Sequence, residues 1–100
     1  MTGTPYRRGA YFERRVKREL ELHGYLVIRS AGSHGLVDLV ALSPNYVMLI
    51  QCRADGELDP ATRSALLKLD TGRCGIVMLA YRQGRGICVR QICDKKGEQP

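Results

Sequence analysis

At 100 residues the chain is long enough for one domain with a single modest core and too short for two. Its 16 Lys and Arg against 10 acidic residues give a formal charge of +6, which points to a polyanionic partner. No run of about 18 apolar residues is present to span a membrane, and the polar N-terminal stretch lacks the apolar segment of a secretory signal, so the expected compartment is the cytoplasm.

Residues 1–6 show no periodicity and are expected to form a flexible arm. A helix then runs to His23, with Gly24 as its stop. Spacing at about 100° per residue places Phe12, Val16, Leu20 and His23 on the buried stripe and turns Arg14, Lys17, Arg18 and Glu21 outward. Glu13 sits at the edge of that stripe. It is either an i,i+4 partner for Lys17 or a carboxylate that reaches toward the polar end of a sheet. Residues 25–29, rich in β-branched and aromatic side chains, predict a first strand at a sheet edge. The loop Ser30-Ala31-Gly32-Ser33-His34-Gly35 has two glycines and two hydroxyls. It reads as a hairpin turn or as a main chain open to a phosphate, and it lacks the P-loop pattern.

Residues 37–42 form the second predicted strand, with Val37, Leu39 and Ala41 on one face and Asp38, Val40 and Leu42 on the other. Asp38 is alone among apolar neighbours, and burying a carboxylate is costly unless it is hydrogen-bonded, paired or bound to a metal. Either it leaves the strand end into solvent or pairs with Arg53, or its charge is used. After the Ser43-Pro44-Asn45 turn, residues 47–53 place Val47, Leu49, Gln51 and Arg53 on one face and Met48, Ile50 and Cys52 on the other. Asp59 and Pro60 start a second helix with Ala65, Leu66 and Leu69 on its apolar side and Gly72 at its end. Residues 75–81 and 86–92 are two further strands joined by the turn 82–85, and residues 94–100 are a polar tail expected to be flexible.

Cys52, Cys74, Cys88 and Cys93 lack the paired spacing of a structural zinc site, and Cys52 and Cys88 read as small, reduced, buried hydrophobes. The order α-β-β-β-α-β-β describes a single α/β domain over residues 1–100, a mixed sheet of about five strands flanked by helices.

Arg8-Gly9, Glu13, Val27-Ile28-Arg29-Ser30-Ala31-Gly32-Ser33 and Gly35-Leu36-Val37-Asp38-Leu39 together resemble the archaeal-type Holliday junction resolvases, a branch of the PD-(D/E)xK nuclease superfamily. The similarity is close over the first half of the chain and extends to the second half only in the order of elements. That family's E-x-K falls on Gln51-Cys52-Arg53, a departure at two positions. The resemblance implies a restriction-endonuclease-like core and a structure-selective endodeoxyribonuclease that resolves four-way DNA junctions as a homodimer. It implies Mg²⁺, with Mn²⁺ as a substitute, held by Glu13, Asp38, the Gln51 amide oxygen and the main-chain carbonyl of Cys52, and it places Ser33 near the scissile phosphate.

Arg53 in place of lysine keeps its proton at any useful pH, so it serves as a charge clamp and not as a base. Arg7, Arg8, Arg14, Arg18 and Arg29, with Ser33 and His34, are the expected DNA contacts. The Q-x-R variant leaves open a branched-DNA-binding module with a degraded site, and the superfamily also admits a nuclease for flaps and other branched DNA.

Overall fold

The computed structural model describes residues 5–30, 35–69 and 71–93, with residues 5–8 described by their main chain alone. Helix α1 is Pro5–Leu22. It starts earlier than the periodicity suggests, because proline at the first helical position has a fixed φ that suits the turn and lacks an N–H that would have no partner there. Phe12, Val16 and Leu20 are buried along one side as expected. The helix ends with Gly24 at φ 97°, the Tyr25 N–H bonded to the Leu20 carbonyl at 3.1 Å and the Gly24 N–H to that of Glu21 at 3.0 Å. This double closure needs a left-handed residue, which glycine supplies without strain.

His23 corrects the sequence reading, since it is exposed and its Nδ1 bonds the Glu19 carbonyl at 2.9 Å. The chain leaves helical geometry after Leu22, so the 100° extrapolation no longer applies to residue 23.

Five strands form one sheet: β1 (Leu26–Arg29), β2 (Leu39–Leu42), β3 (Val47–Cys52), β4 (Gly75–Gln83) and β5 (Gly86–Gln91), in that spatial order. β1 is an edge strand, as its composition suggests. The β1–β2, β2–β3 and β4–β5 pairs are antiparallel. β3 and β4 are parallel, with Ile50 opposite Met78, and they are joined by a crossover carrying helix α2 (Pro60–Leu67). Asp59 caps α2 by accepting the Thr62 N–H at 3.0 Å. The helix closes at Lys68 rather than at Gly72, and Leu69 packs on the core from the segment that follows. The β4–β5 turn shortens to Gly84 and Arg85. Gly84 at φ 62° is the first central residue of the tight hairpin loop.

The sheet separates two apolar clusters. On the α1 side Phe12, Val16 and Leu20 meet Val27, Leu39, Ala41, Met48, Ile50 and Ala80. On the other side Leu66, Leu79 and Ile92 are joined by Leu36, Leu58, Leu69, Val77 and Tyr81. All four cysteines are free thiols, and Cys52 and Cys88 are half-buried. Among the described residues no helix is long and apolar enough to cross a membrane.

Candidate active site

β2 begins at Leu39, so Asp38 stands just ahead of the strand and not within it. The main chain there still follows the ladder, with the Asp38 N–H donating to the Ile50 carbonyl at 2.8 Å and the Ser30 N–H to the Asp38 carbonyl at 2.9 Å. The carboxylate crosses the end of β3, where Oδ2 accepts the Cys52 N–H at 2.8 Å. Burial raises the Asp38 pKa above the ordinary carboxylate range, against the Cys52 hydrogen bond and the charges of Arg53 and Arg29, which lower it. Asp38 is therefore neither a solvated strand end nor the direct ion-pair partner of Arg53. Arg53 approaches Asp59 instead, at 3.7 Å.

Glu13 reaches the same region from α1. It is not paired with Lys17, which bonds Glu21 at 2.7 Å; its Oε1 accepts from Arg29 Nε at 3.0 Å. The Glu13 and Arg29 side chains are only 20% and 23% exposed, which places this ion pair well inside the surface. Burial raises the Glu13 pKa, the negative charge of Asp38 raises it further, and Arg29 opposes both. The Cys52 thiol between these carboxylates is pushed far up by burial first and then by Asp38 and Glu13, so it stays protonated and is no nucleophile.

Gln51 is the one buried polar residue of the core among those described, at 6% exposure. Its Nε2 donates to the Leu36 carbonyl and its Oε1 receives a long 3.4 Å bond from Arg53 Nε, so Gln51 and Arg53 do project together. Cys52 and Arg53 also line an open depression of about 560 Å³. Arg82 lines it too, its guanidinium 5.6 Å from the Phe12 ring centroid. The sequence pattern predicts a turn at Arg82, and no local signal marks it for the site, because the β3–β4 pairing alone brings it here.

Arg14 and Arg18 are exposed on α1, free to meet a phosphate backbone, whereas Arg29 is engaged by Glu13. Arg7 and Arg8 lie in the first turns of α1, where only the main chain is described, and Ser33 and His34 lie outside the described residues.

Two half-buried carboxylates, the charge of Asp38 raising the pKa of Glu13, with the main chain of Cys52 bonded to Asp38, suit a hard divalent cation that keeps several waters. Among the described residues no group of three or more His, Cys, Asp or Glu is gathered for a metal, so neutral oxygens would complete such a set.

These shifts fix the sign of a pH effect. Asp38 and Glu13 hold protons more tightly folded than unfolded, so stability falls as pH rises from about 4 through their raised folded values. Asp59, lowered by its bonds to Thr62, acts in the opposite sense, but its side chain is exposed and contributes less. The urea midpoint is expected to decline between mildly acid and neutral pH, and millimolar Mg²⁺ is expected to reverse the decline. A midpoint that is flat with pH and unmoved by Mg²⁺ would show that the two carboxylates are not coupled.

Residues 4–60 match the family described as archaeal Holliday junction resolvase (Hjc). The chain is 48% identical over 52 residues to the crossover junction endodeoxyribonuclease Hjc of Methanocaldococcus jannaschii; this match covers 52% of the chain and 38% of that relative's length. The chain is also similar in structure to the Archaeoglobus fulgidus Hjc, a Holliday junction resolvase from an archaeal hyperthermophile. That match has a TM-score of 0.70 and 23% identity over 85% of this chain and 73% of the other, a likeness that carries the fold.

Proposed function

Because the chain belongs to the archaeal Holliday junction resolvase family through residues 4–60, we propose that it is a metal-dependent endodeoxyribonuclease that cuts four-way DNA junctions. The observation that carries this reading is the convergence of Glu13 and Asp38, from helix and sheet, beside the arginine-lined depression at the end of β3. Asp38, Glu13 and the Cys52 carbonyl would hold Mg²⁺ or Mn²⁺, which when bound supplies an activated water and neutralises charge at the phosphate.

The chain's own residues do the rest. The Cys52 N–H fixes the Asp38 carboxylate against β3. The Arg53 guanidinium stabilises the developing negative charge, and Arg82, also lining the depression, neutralises an adjoining phosphate. Arg14 and Arg18, with Arg7, Arg8, Ser33 and His34 from the neighbouring segments, extend the contact along the DNA backbone. Arg29, here paired with Glu13, would be available to join them were that carboxylate to hold the cation. A four-way junction has two-fold symmetry and needs two cuts, so the working form is a homodimer.

Purified protein incubated with Mg²⁺ or Mn²⁺ and labelled junction, flap and linear duplex tests the reading. Paired, symmetric nicks in the junction alone are expected. Cutting of flaps as readily as junctions would favour a broader branched-DNA nuclease. Gln51 and Arg53 in place of the family's E-x-K favour a second reading, a junction-binding module with a degraded site, and binding without cleavage under either metal would select it.

Two further results are expected. Junction affinity falls at least tenfold between about 50 mM and about 200 mM salt, as bound arginines displace counterions; an affinity flat across that range contradicts the phosphate-contact set. Light scattering gives twice the 11.2 kDa chain mass, and a monomer both free and on junction DNA removes the dimer.

A further inference from the structure

On the reading that Asp38 is the anionic centre of a phosphodiester site, we infer that Gln51 is a positioning residue. It acts on the site by holding segment 36–38, and it is not a metal ligand. Three bonds tie that segment to β3 where the β1–β2 hairpin opens. The Gln51 Nε2 donates to the Leu36 carbonyl, the Asp38 N–H donates to the Ile50 carbonyl, and the Cys52 N–H donates to Asp38 Oδ2. β2 does not begin until Leu39, so at Leu36 a side-chain donor takes the place of a ladder amide. Leu36 packs against the Leu66–Leu79–Ile92 cluster, which anchors the other end of the same short segment.

Both ends of the Gln51 amide are engaged, the nitrogen on Leu36 and the oxygen facing Arg53. No buried side-chain polar atom among the described residues lacks a partner. A carboxylate cannot do this at neutral pH. It offers acceptors only, and one oxygen would face the Leu36 carbonyl, leaving that carbonyl without its donor at a part-buried position. The amide is therefore what the main chain at Leu36 requires, which accounts for glutamine where the E-x-K pattern has glutamate. The site then works with two carboxylates, and Gln51 sets cation affinity only through the placement of Asp38.

The test uses the full chain, uniformly labelled with ¹⁵N and without DNA. It reads amide hydrogen exchange at Asp38 and Cys52 and the affinity for Mn²⁺, in wild type, Gln51→Met and Gln51→Glu. Gln51→Met keeps the side-chain volume and loses the donor. It is expected to speed exchange at both amides, to weaken Mn²⁺ binding about tenfold as loss of an outer supporting partner does, and to leave the β4–β5 amides protected, which shows that the domain is folded.

Gln51→Glu is expected to behave the same way at neutral pH, despite its added negative charge. Its protection, corrected for intrinsic rates, is expected to return in mildly acid solution, where the protonated carboxyl again donates to Leu36; a purely structural defect would not be rescued in this way. Tighter Mn²⁺ binding in Gln51→Glu with exchange unchanged would make position 51 a direct ligand and overturn the inference. So would Gln51→Met that leaves both readouts at wild-type values. If wild type takes up no Mn²⁺, the metal-dependent reading fails by itself, and the exchange pattern of the two variants still decides for or against the positioning role.

Discussion

Asp38→Asn is expected to lower junction cleavage by at least roughly a thousandfold, the loss of a few kcal/mol of transition-state stabilisation, with junction affinity nearly unchanged. The asparagine side-chain oxygen can still accept the Cys52 N–H, so the local geometry survives while the charge that would hold the cation is gone. Phosphate contacts are assigned to arginines elsewhere, and binding depends on those. The same substitution removes a half-buried negative charge that repels Glu13, so the variant is expected to be the more stable protein at neutral pH without metal. Single-turnover cleavage, gel-shift affinity and urea unfolding on one preparation check all three. A variant that still cuts, or one that loses binding and stability together, would identify Asp38 as a structural residue.

The second large effect concerns stability. Leu39→Ala is expected to cost about 2–5 kcal/mol, out of the roughly 5–15 kcal/mol available to a chain of this length. Leu39 is fully buried and sits opposite Ile50, itself fully buried, under the Phe12–Val16–Leu20 side of α1. Truncation leaves a cavity between helix and sheet next to Asp38, so cleavage is expected to fall alongside stability. Leu26 on the edge strand, 64% exposed, provides the contrast, and Leu26→Ala is expected to change stability by no more than about 0.5 kcal/mol. Equal urea midpoints for the two variants would mean that the α1–sheet interface is not the stabilising core.

The sequence by itself determined the order of elements, the Phe12–Val16–Leu20 stripe, the stop at Gly24 and the Asp59–Pro60 start. Each of these depends on periodicity or capping among residues a few positions apart, where the chain's local geometry leaves few alternatives. It also brought Asp38 and Glu13 forward as candidates, since a carboxylate out of place in an apolar pattern shows without any partner being known. What it could not supply were the partners. Lys17 was as good a neighbour for Glu13 as any until α1 was laid against β1, which put Arg29 there across 16 positions.

Tertiary structure alone decided the remainder. The β2–β3 register brought the Cys52 N–H to the Asp38 carboxylate and the Leu36 carbonyl to the Gln51 amide, pairs 14 and 15 residues apart. The β3–β4 pairing carried Arg82 to the rim of the site, and the unwinding after Leu22 turned His23 out to solvent. The physical reason is common to all of these. A side chain's ionisation and hydrogen bonding are set by whatever surrounds it within a few ångströms, and in a sheet those neighbours come from other strands, whose alignment a local pattern does not specify.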